Sequence, residues 1–436
     1  MNSSYKNILI SVILALIGYF GAGYNFEEIQ ARLIGVVIFL VAMWTNEALP
    51  LGVVSLLPII LFPALDILST NDTTVNYSKS IIFLFLGGFL LAIAVEKIGL
   101  HKVIAHKLLS IFPSNARGII FALAVTSAIL SSLLSNTTTA LLLMPIALFL
   151  TDIAKLKIRF VLAVAYGASI GGIITPIGTP PNLILMGFLQ ENQLETLTFI
   201  TWMFKTLPLA MIMLIIMPYI LSLGVKNLAI ENKLTSKILD KGQKRLIKIL
   251  SLLIVVLFVN SFFKFSEAGI LLSFGLFMML PKIGFLEWND SRKIPFDIIF
   301  LFGAGFSIAA AFSGTGLAQA ISELLLELTQ LNPIILILIV ATMVTFTTEV
   351  TSNTALISIV LPIIYSLGLS SNIDTTLILM VVTICASYAF MLPIATPPNA
   401  IAMSSKVLTI KDMAKYGIVF NILGIILTVC IAMIWW

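Results

Sequence analysis

Charge is what this sequence is short of. Asp, Glu, Lys and Arg together make up 10% of 436 residues, against 59% hydrophobic residues. A soluble domain carries roughly 25% charged residues, so a chain of this composition cannot clothe a folded core in polar surface. Cysteine is nearly absent too. Cys385 and Cys430 both lie in apolar segments, which excludes a disulfide framework and a thiolate metal site. The two histidines, His101 and His106, are flanked by lysines in an amphipathic stretch and read as part of a helix rather than a metal pair. No nucleophile–base pair or metal cluster stands within the apolar segments, which argues against an enzyme.

Long apolar runs fill the chain instead, many of about 18 residues or more, enough for a helix to cross a bilayer. Crossing helices are expected near 7–23, 31–48, 51–66, 80–100, 160–188, 203–224, 246–264, 266–281, 297–317, 376–404 and 414–435. The expected fold class is an all-α polytopic membrane protein of about 11 transmembrane helices. The first run follows Lys6 but lacks a small-residue cleavage site leading into a soluble domain, so it reads as a retained helix.

The net charge of +5 is read as topology, because Lys and Arg gather in cytoplasmic loops. Lys226, Lys233, Lys237, Lys241, Lys244, Arg245 and Lys248 crowd one loop, and Lys155, Lys157, Arg159, Lys282, Arg292, Lys293, Lys406 and Lys411 sort with them. Glu27, Glu28, Asp72, Glu191, Glu195, Glu323, Glu327 and Asp374 fall on the opposite side. This asymmetry places the N-terminus in the cytoplasm and the C-terminus outside, in a multi-pass protein of the cell membrane.

The sorting requires two stretches, 118–150 and 334–368, to enter and leave on one face. Each is too long for one crossing and short for two. Each carries a polar tripeptide at its middle, Ser135-Asn136-Thr137 and Ser352-Asn353-Thr354. They are expected to be re-entrant helical hairpins, a form of backbone that survives at membrane depth only inside protein or beside water.

The two tripeptides are 217 residues apart, and other features obey the same shift. "TPIGTPPNLILM" at 175–186 matches "LPIATPPNAIAM" at 392–403, Pro145 matches Pro362, and "FLGGFLLA" at 85–92 matches "FGAGFSIA" at 302–309. The chain therefore divides into an N-terminal helix, 1–30, a first repeat, 31–224, a basic cytoplasmic loop, 225–245, and a second repeat, 246–436. Five crossings separate the hairpins, and an odd number inverts the second copy. Inverted repeats with discontinuous helices are the mark of secondary transporters.

Paired prolines at Pro180-Pro181 and Pro397-Pro398 remove N–H groups and clash with the preceding turn. The helices 160–188 and 376–404 are thus expected to open near Gly178-Thr179 and Ala395-Thr396, each break facing a tripeptide tip. Half-helix N-termini suit an anion, and unwound carbonyls with Ser, Thr and Asn oxygens suit a hard cation such as Na+. No Lys or Arg occurs in these motifs, so a bound anion must be held by amides, hydroxyls, helix dipoles and accompanying cations. Glu349 stands beside the second tip where the first has Ser132, so a direct ligand role for it is unsupported; Glu47 is expected to cap its helix.

The paired tips, the "IGTPPN" and "IATPPN" breaks and "WTNEALPL" at 44–51 resemble the divalent anion/sodium symporters, the INDY-like dicarboxylate transporters, over nearly the whole chain. The resemblance implies two Na+ sites. One would use Ser131, Ser135, Asn136 and the Gly178 carbonyl, and the other Thr348, Thr351, Asn353 and the Ala395 carbonyl. Substrate carboxylates would meet Asn136, Thr137, Asn353 and Thr354, with Thr179, Thr396 and Pro397 lining the pocket. It also implies a homodimer with an elevator motion, in which 101–113 and 318–330 are interfacial arm helices. The function expected on this basis is Na+-coupled uptake of C4-type dicarboxylates such as succinate, fumarate or malate. A Na+-independent dicarboxylate or 2-oxoglutarate exchanger of the same fold is the alternative, with a tricarboxylate or sulfate carrier and a passive anion channel behind it.

Overall fold

The computed structural model describes residues 3–46, 48–194, 197–225, 239–263, 265–324, 327, 330–371 and 373–436. Glu47, Glu195, Lys226, Lys233, Lys237 and part of the second arm helix lie outside them. Helix is the regular structure throughout, with no strand among the described residues. Six helices are long and apolar enough to cross a membrane by themselves among those residues: Ser4–Ala22, Glu28–Thr45, Thr70–Lys97, Phe199–Leu221, Phe296–Gly314 and Ile410–Trp435. Other apolar helices are shorter because the chain interrupts them. The run expected at 51–66 is two pieces, Leu51–Leu56 and Pro58–Ala64, parted where Pro58 cannot donate an N–H.

The chain forms two compact units, each assembled from three separate segments. The first comprises residues 1–82, 183–196 and 295–386. Its core joins Leu33, Leu40 and Trp44 to Val54, Phe62, Leu301 and Phe312. Lipid is as apolar as Leu, so association here depends on close packing and buried polar bonds rather than on escape from water. Both are present. Gly303 of Phe296–Gly314 lies flat against the Tyr77 ring, and Gly305 lies against Ser358 of Asn353–Leu369. Tyr77 donates to the Ser55 carbonyl at 2.6 Å, Trp44 Nε1 donates to Ser55 Oγ at 3.2 Å, and Ser307 donates to the Thr73 carbonyl at 3.1 Å. Helix Ser3–Ala22 instead presents Leu9, Ile13, Leu16, Ile17 and Phe20 outward, as a lipid-facing helix should.

The second unit comprises residues 83–182, 197–294 and 387–436. Helix Ala154–Gly172 runs through it, and every residue from Phe160 to Pro176 is buried. Small residues make this possible. A Cβ on Gly167 would stand 2.6 Å from the Ala124 carbonyl oxygen, and Gly171 meets the Ala128 backbone just as closely. The partner helix, Ala116–Ser131, adds a bond from Ser127 Oγ to the Val164 carbonyl at 2.7 Å. Tyr166 packs edge-on against Phe390 and Phe420, at 5.1 and 5.5 Å between ring centres, and donates to the Met413 carbonyl at 3.1 Å. At the rim, Arg159 donates to the Leu221 carbonyl at 3.0 Å and lies over the Tyr416 ring.

Helix Leu100–Ile111 packs on Ala116–Ser131, and His101 Nδ1 meets the Val95 carbonyl at 3.1 Å in a buried position, so that histidine is committed to structure. The helix is entered through Gly99 at φ +66°, and Leu317–Leu324 is entered through Gly316 at φ +71°. The two glycines are again 217 residues apart, and both occupy the left-handed region that side chains disfavour.

Replacing Gly167 by Leu is expected to force Ala154–Gly172 off Ala116–Ser131 and cost about 1–3 kcal/mol. Thermal unfolding of the detergent-solubilised protein checks this; G167A should lie between it and wild type.

Candidate functional site

The first hairpin consists of Ala116–Ser131 and Asn136–Phe149, joined by the turn 132–135. Ser135 caps the second arm, its Oγ accepting from the Thr138 N–H at 3.1 Å and donating to Thr138 Oγ1 at 2.9 Å. Ser131 donates its proton to Asn136 Oδ1. The tip is pinned from the broken helix, because Thr175 donates to the Ser132 carbonyl at 2.6 Å. Asn136 and Thr137 are half-buried, as substrate contacts must be.

The break itself runs from Gly172 to Pro180. Ala154–Gly172 ends, Pro176–Gly178 makes one 3-10 turn, Thr179 is extended at φ −147°, ψ 143°, and Pro180–Glu191 begins. A helix end leaves its last carbonyls unpaired, and in a membrane interior no water is at hand to serve them. Here side chains serve four in succession. Asn182 Nδ2 donates to the Gly172 carbonyl at 3.0 Å and the Thr175 carbonyl at 2.9 Å. Trp202 Nε1 donates to the Ile173 carbonyl at 2.9 Å, and Thr206 to the Ile174 carbonyl at 3.2 Å. The carbonyls freed at 172–175 are thus consumed by the fold, and the expected cation ligand, Gly178, lies beyond them.

The chain then doubles back. Gly178 rests on the Gly172 backbone, and a Cβ on Gly172 would stand 2.7 Å from Asn136 Oδ1 and 3.3 Å from Thr179 Cβ. Asn136, Gly178 and Thr179 therefore converge on one glycine. Ser131, Ser135 and Asn136 share the hairpin turn beside them, so the expected first cation set and its substrate neighbours Thr137 and Thr179 are local to this unit.

The second break is longer, from Ser387 to Pro397, with Thr396 extended at φ −143°, ψ 149°. Asn399 Nδ2 donates to the Ala389 and Leu392 carbonyls, both at 3.0 Å. These are the positions of Gly172 and Thr175 plus 217, so the two motifs fold alike. Asn421 Oδ1 accepts from the Phe390 N–H at 3.2 Å.

The second hairpin, Pro333–Thr348 and Asn353–Leu369, belongs to the other unit. Its tip carries Thr348, Thr351, Asn353 and Thr354 together, whereas Ala395, Thr396 and Pro397 belong to the unit of the first hairpin. Thr348 donates to the Ala386 carbonyl and Thr351 to the Thr347 carbonyl, each at 2.9 Å. Asn353 Oδ1 accepts from the Thr354 N–H at 2.8 Å. Glu349 is buried at the C-terminal cap of Pro333–Thr348.

Two features give these tips their chemistry. Ser131, Thr348 and Thr351 all give their hydroxyl protons to protein acceptors, which leaves oxygen lone pairs for a cation. In addition, Thr179 Oγ1, Asn182 Oδ1, Thr396 Oγ1 and Asn399 Oδ1 are buried with no hydrogen-bond partner among the described residues. Each such oxygen costs about 1–3 kcal/mol, and the orphans recur as matched pairs 217 residues apart.

Sequence reasoning did not single out Asn182, Asn399, Thr175, Trp202 or Thr206. The asparagines carried a signal, since both break strings end in Asn at the same place. The others did not, because position 392 is Leu and the positions matching Trp202 and Thr206 are Val419 and Leu423.

Comparison with known proteins places this arrangement. The CitMHS family model, described as a citrate transporter, matches residues 38–376. A protein of Staphylococcus saprophyticus named sodium-dependent dicarboxylate transporter SdcS is 30% identical over 93% of this chain and 86% of its own. The protein of that name from Staphylococcus aureus strain NCTC 8325 is 29% identical over 91% and 84%. The chain belongs to the divalent anion/sodium symporter family. It is accordingly a multi-pass membrane transporter and not an enzyme. The symporter-family chain also shares its fold with two solved structures. MtrF of Neisseria gonorrhoeae, titled an antimetabolite efflux pump, aligns with TM-score 0.58 and 14% identity over 84% of this chain and 83% of its own. The YdaH transporter of Alcanivorax borkumensis aligns with TM-score 0.56 and 12% identity over 84% and 87%.

Replacing Thr175 by Val deletes the bond to the Ser132 carbonyl without changing shape. It is expected to cost about 1–3 kcal/mol, read by thermal unfolding, with T175S restoring most of the loss.

Proposed function

We propose that this protein is a secondary active transporter that couples an inward Na+ gradient to uptake of C4-type dicarboxylates. The observation that carries the reading is the orientation of the hydroxyls at the hairpin tips. Ser131, Thr348 and Thr351 turn their protons into the protein and offer lone pairs outward, a donor set suited to a hard cation and poorly suited to an anion. Ser131, Ser135, Asn136 and the Gly178 carbonyl form one proposed Na+ site, and Thr348, Thr351, Asn353 and the Ala395 carbonyl supply the ligands of another. Asn136, Thr137, Asn353 and Thr354 are the proposed carboxylate contacts, with Thr179, Thr396 and Pro397 lining the substrate's path.

The absence of Lys and Arg from every one of these positions gives the coupling its physical logic. A dianion in a low-dielectric site is costly unless its charge is offset. Two co-transported Na+ offset it, and half-helix N-termini at Pro180 and Pro397 add favourable dipoles. Bound cations therefore create the substrate site, and the names of the staphylococcal relatives support that assignment. Inverted repeats, an elevator motion, a homodimer and a cytoplasmic N-terminus complete the proposed picture.

The test is uptake of labelled succinate into proteoliposomes, with an inward Na+ or K+ gradient and with empty or dicarboxylate-loaded vesicles. Uptake into empty vesicles that requires Na+ is expected. Uptake that requires preloading and ignores Na+ would make the protein an exchanger and remove both Na+ sites. Labelled citrate, the substrate in the family model's description, and sulfate form the comparison arms; uphill accumulation excludes a channel. Substituting Asn136 or Asn353 by Ala is expected to lower succinate uptake by roughly tenfold or more while leaving protein yield intact.

A further inference from the structure

The break asparagines do more than cap a helix end. Asn182 grips the Thr175 carbonyl at 2.9 Å, and that same oxygen also accepts the Gly178 N–H at 3.2 Å. Asn399 grips the Leu392 carbonyl at 3.0 Å, which also accepts the Ala395 N–H at 3.3 Å. Gly178 and Ala395 are the two residues whose carbonyls are proposed to ligate Na+. In both motifs, then, one side-chain amide and one ligand residue share a single acceptor. The amide's other bond, to Gly172 or Ala389 at 3.0 Å, ties that acceptor to the end of the preceding half-helix. Gly172 is also the residue on which Asn136 and Gly178 rest.

The amide orientation follows from chemistry. Turning Oδ1 toward two carbonyl oxygens would set three acceptors together, so Nδ2 must face them and Oδ1 is left buried without a partner. A residue kept for stability alone has no reason to strand an oxygen at two places. The cost is accepted where the geometry serves something else.

We infer that Asn182 and Asn399 are positioning residues for cation binding, each fixing the carbonyl of the peptide three residues beyond its shared acceptor. Neither touches Na+; each holds a ligand in register, as the outer partners of metal ligands do. This inference rests on the Na+-coupled reading above.

The experiment measures the Na+ concentration for half-maximal succinate uptake, and the succinate KM at saturating Na+, in proteoliposomes of wild type, N182A, N399A and N182S. The expected result is a rise of roughly tenfold or more in half-saturating Na+ for each alanine variant. Succinate KM at saturating Na+ should stay within about threefold of wild type, far inside the loss a missing substrate ligand brings. N182S keeps one donor and should fall between N182A and wild type. The two asparagines sit in separate motifs and are read independently, so misfolding of one variant leaves the other to decide. Alanine variants that lose protein yield or maximal rate while keeping wild-type half-saturating Na+ would overturn the inference and leave the residues structural. A wild-type protein indifferent to Na+ would overturn the transport reading itself, a result visible before any variant is made.

Discussion

Backbone in a hydrocarbon interior must find its hydrogen bonds within the protein, and the candidate site of this transporter is built around that demand. Breaking a helix exposes carbonyls that water would satisfy elsewhere. Here they fall to side chains: Asn182, Trp202 and Thr206 take the carbonyls of residues 172–175, and Asn399 takes those of Ala389 and Leu392. Once they are taken, the chain beyond them is held tightly enough for Gly178 to lie on Gly172. The break is a rigid construction, and rigidity is what an ion site of neutral oxygens needs, since no formal charge compensates for a misplaced ligand.

Packing supplies the rest of that rigidity. Ala154–Gly172 can be buried along its inner half only because Gly167 and Gly171 admit the backbone of Ala116–Ser131. The hairpin tip is thereby fixed to the broken helix by contact along their length as well as by Thr175 at its end. The hydroxyl of Ser131 points its proton at Asn136 within this fixed frame, and the lone pairs of both residues are presented together. Electrostatic neutrality then makes cation and anion interdependent: the site attracts neither strongly alone, and each reduces the cost of the other.

Much of the architecture was legible in the amino-acid sequence because membranes impose simple rules. Apolar run lengths gave the helices, and the prolines of the two "TPPN" strings gave the breaks. The shift of 217 residues tied together features with no local connection. The same shift also relates Gly99 to Gly316 and Asn182 to Asn399, and these pairs passed unnoticed because a lone glycine or asparagine carries little signal by itself. The split of 51–66 at Leu57 shows the opposite limit: hydropathy sees a continuous apolar run, while the missing N–H of Pro58 divides it.

What the sequence determined by itself is the solvent, the helical class, the doubled plan and the residue types at the site, since each follows from composition or from spacing along one chain. The tertiary structure decided which oxygens are already spent. Trp202 and Thr206 lie on a different helix from the carbonyls they satisfy, and Thr175 reaches a carbonyl 43 residues earlier in the chain. Hydrogen-bond satisfaction is a property of three-dimensional neighbours, and no pattern along the chain reports it.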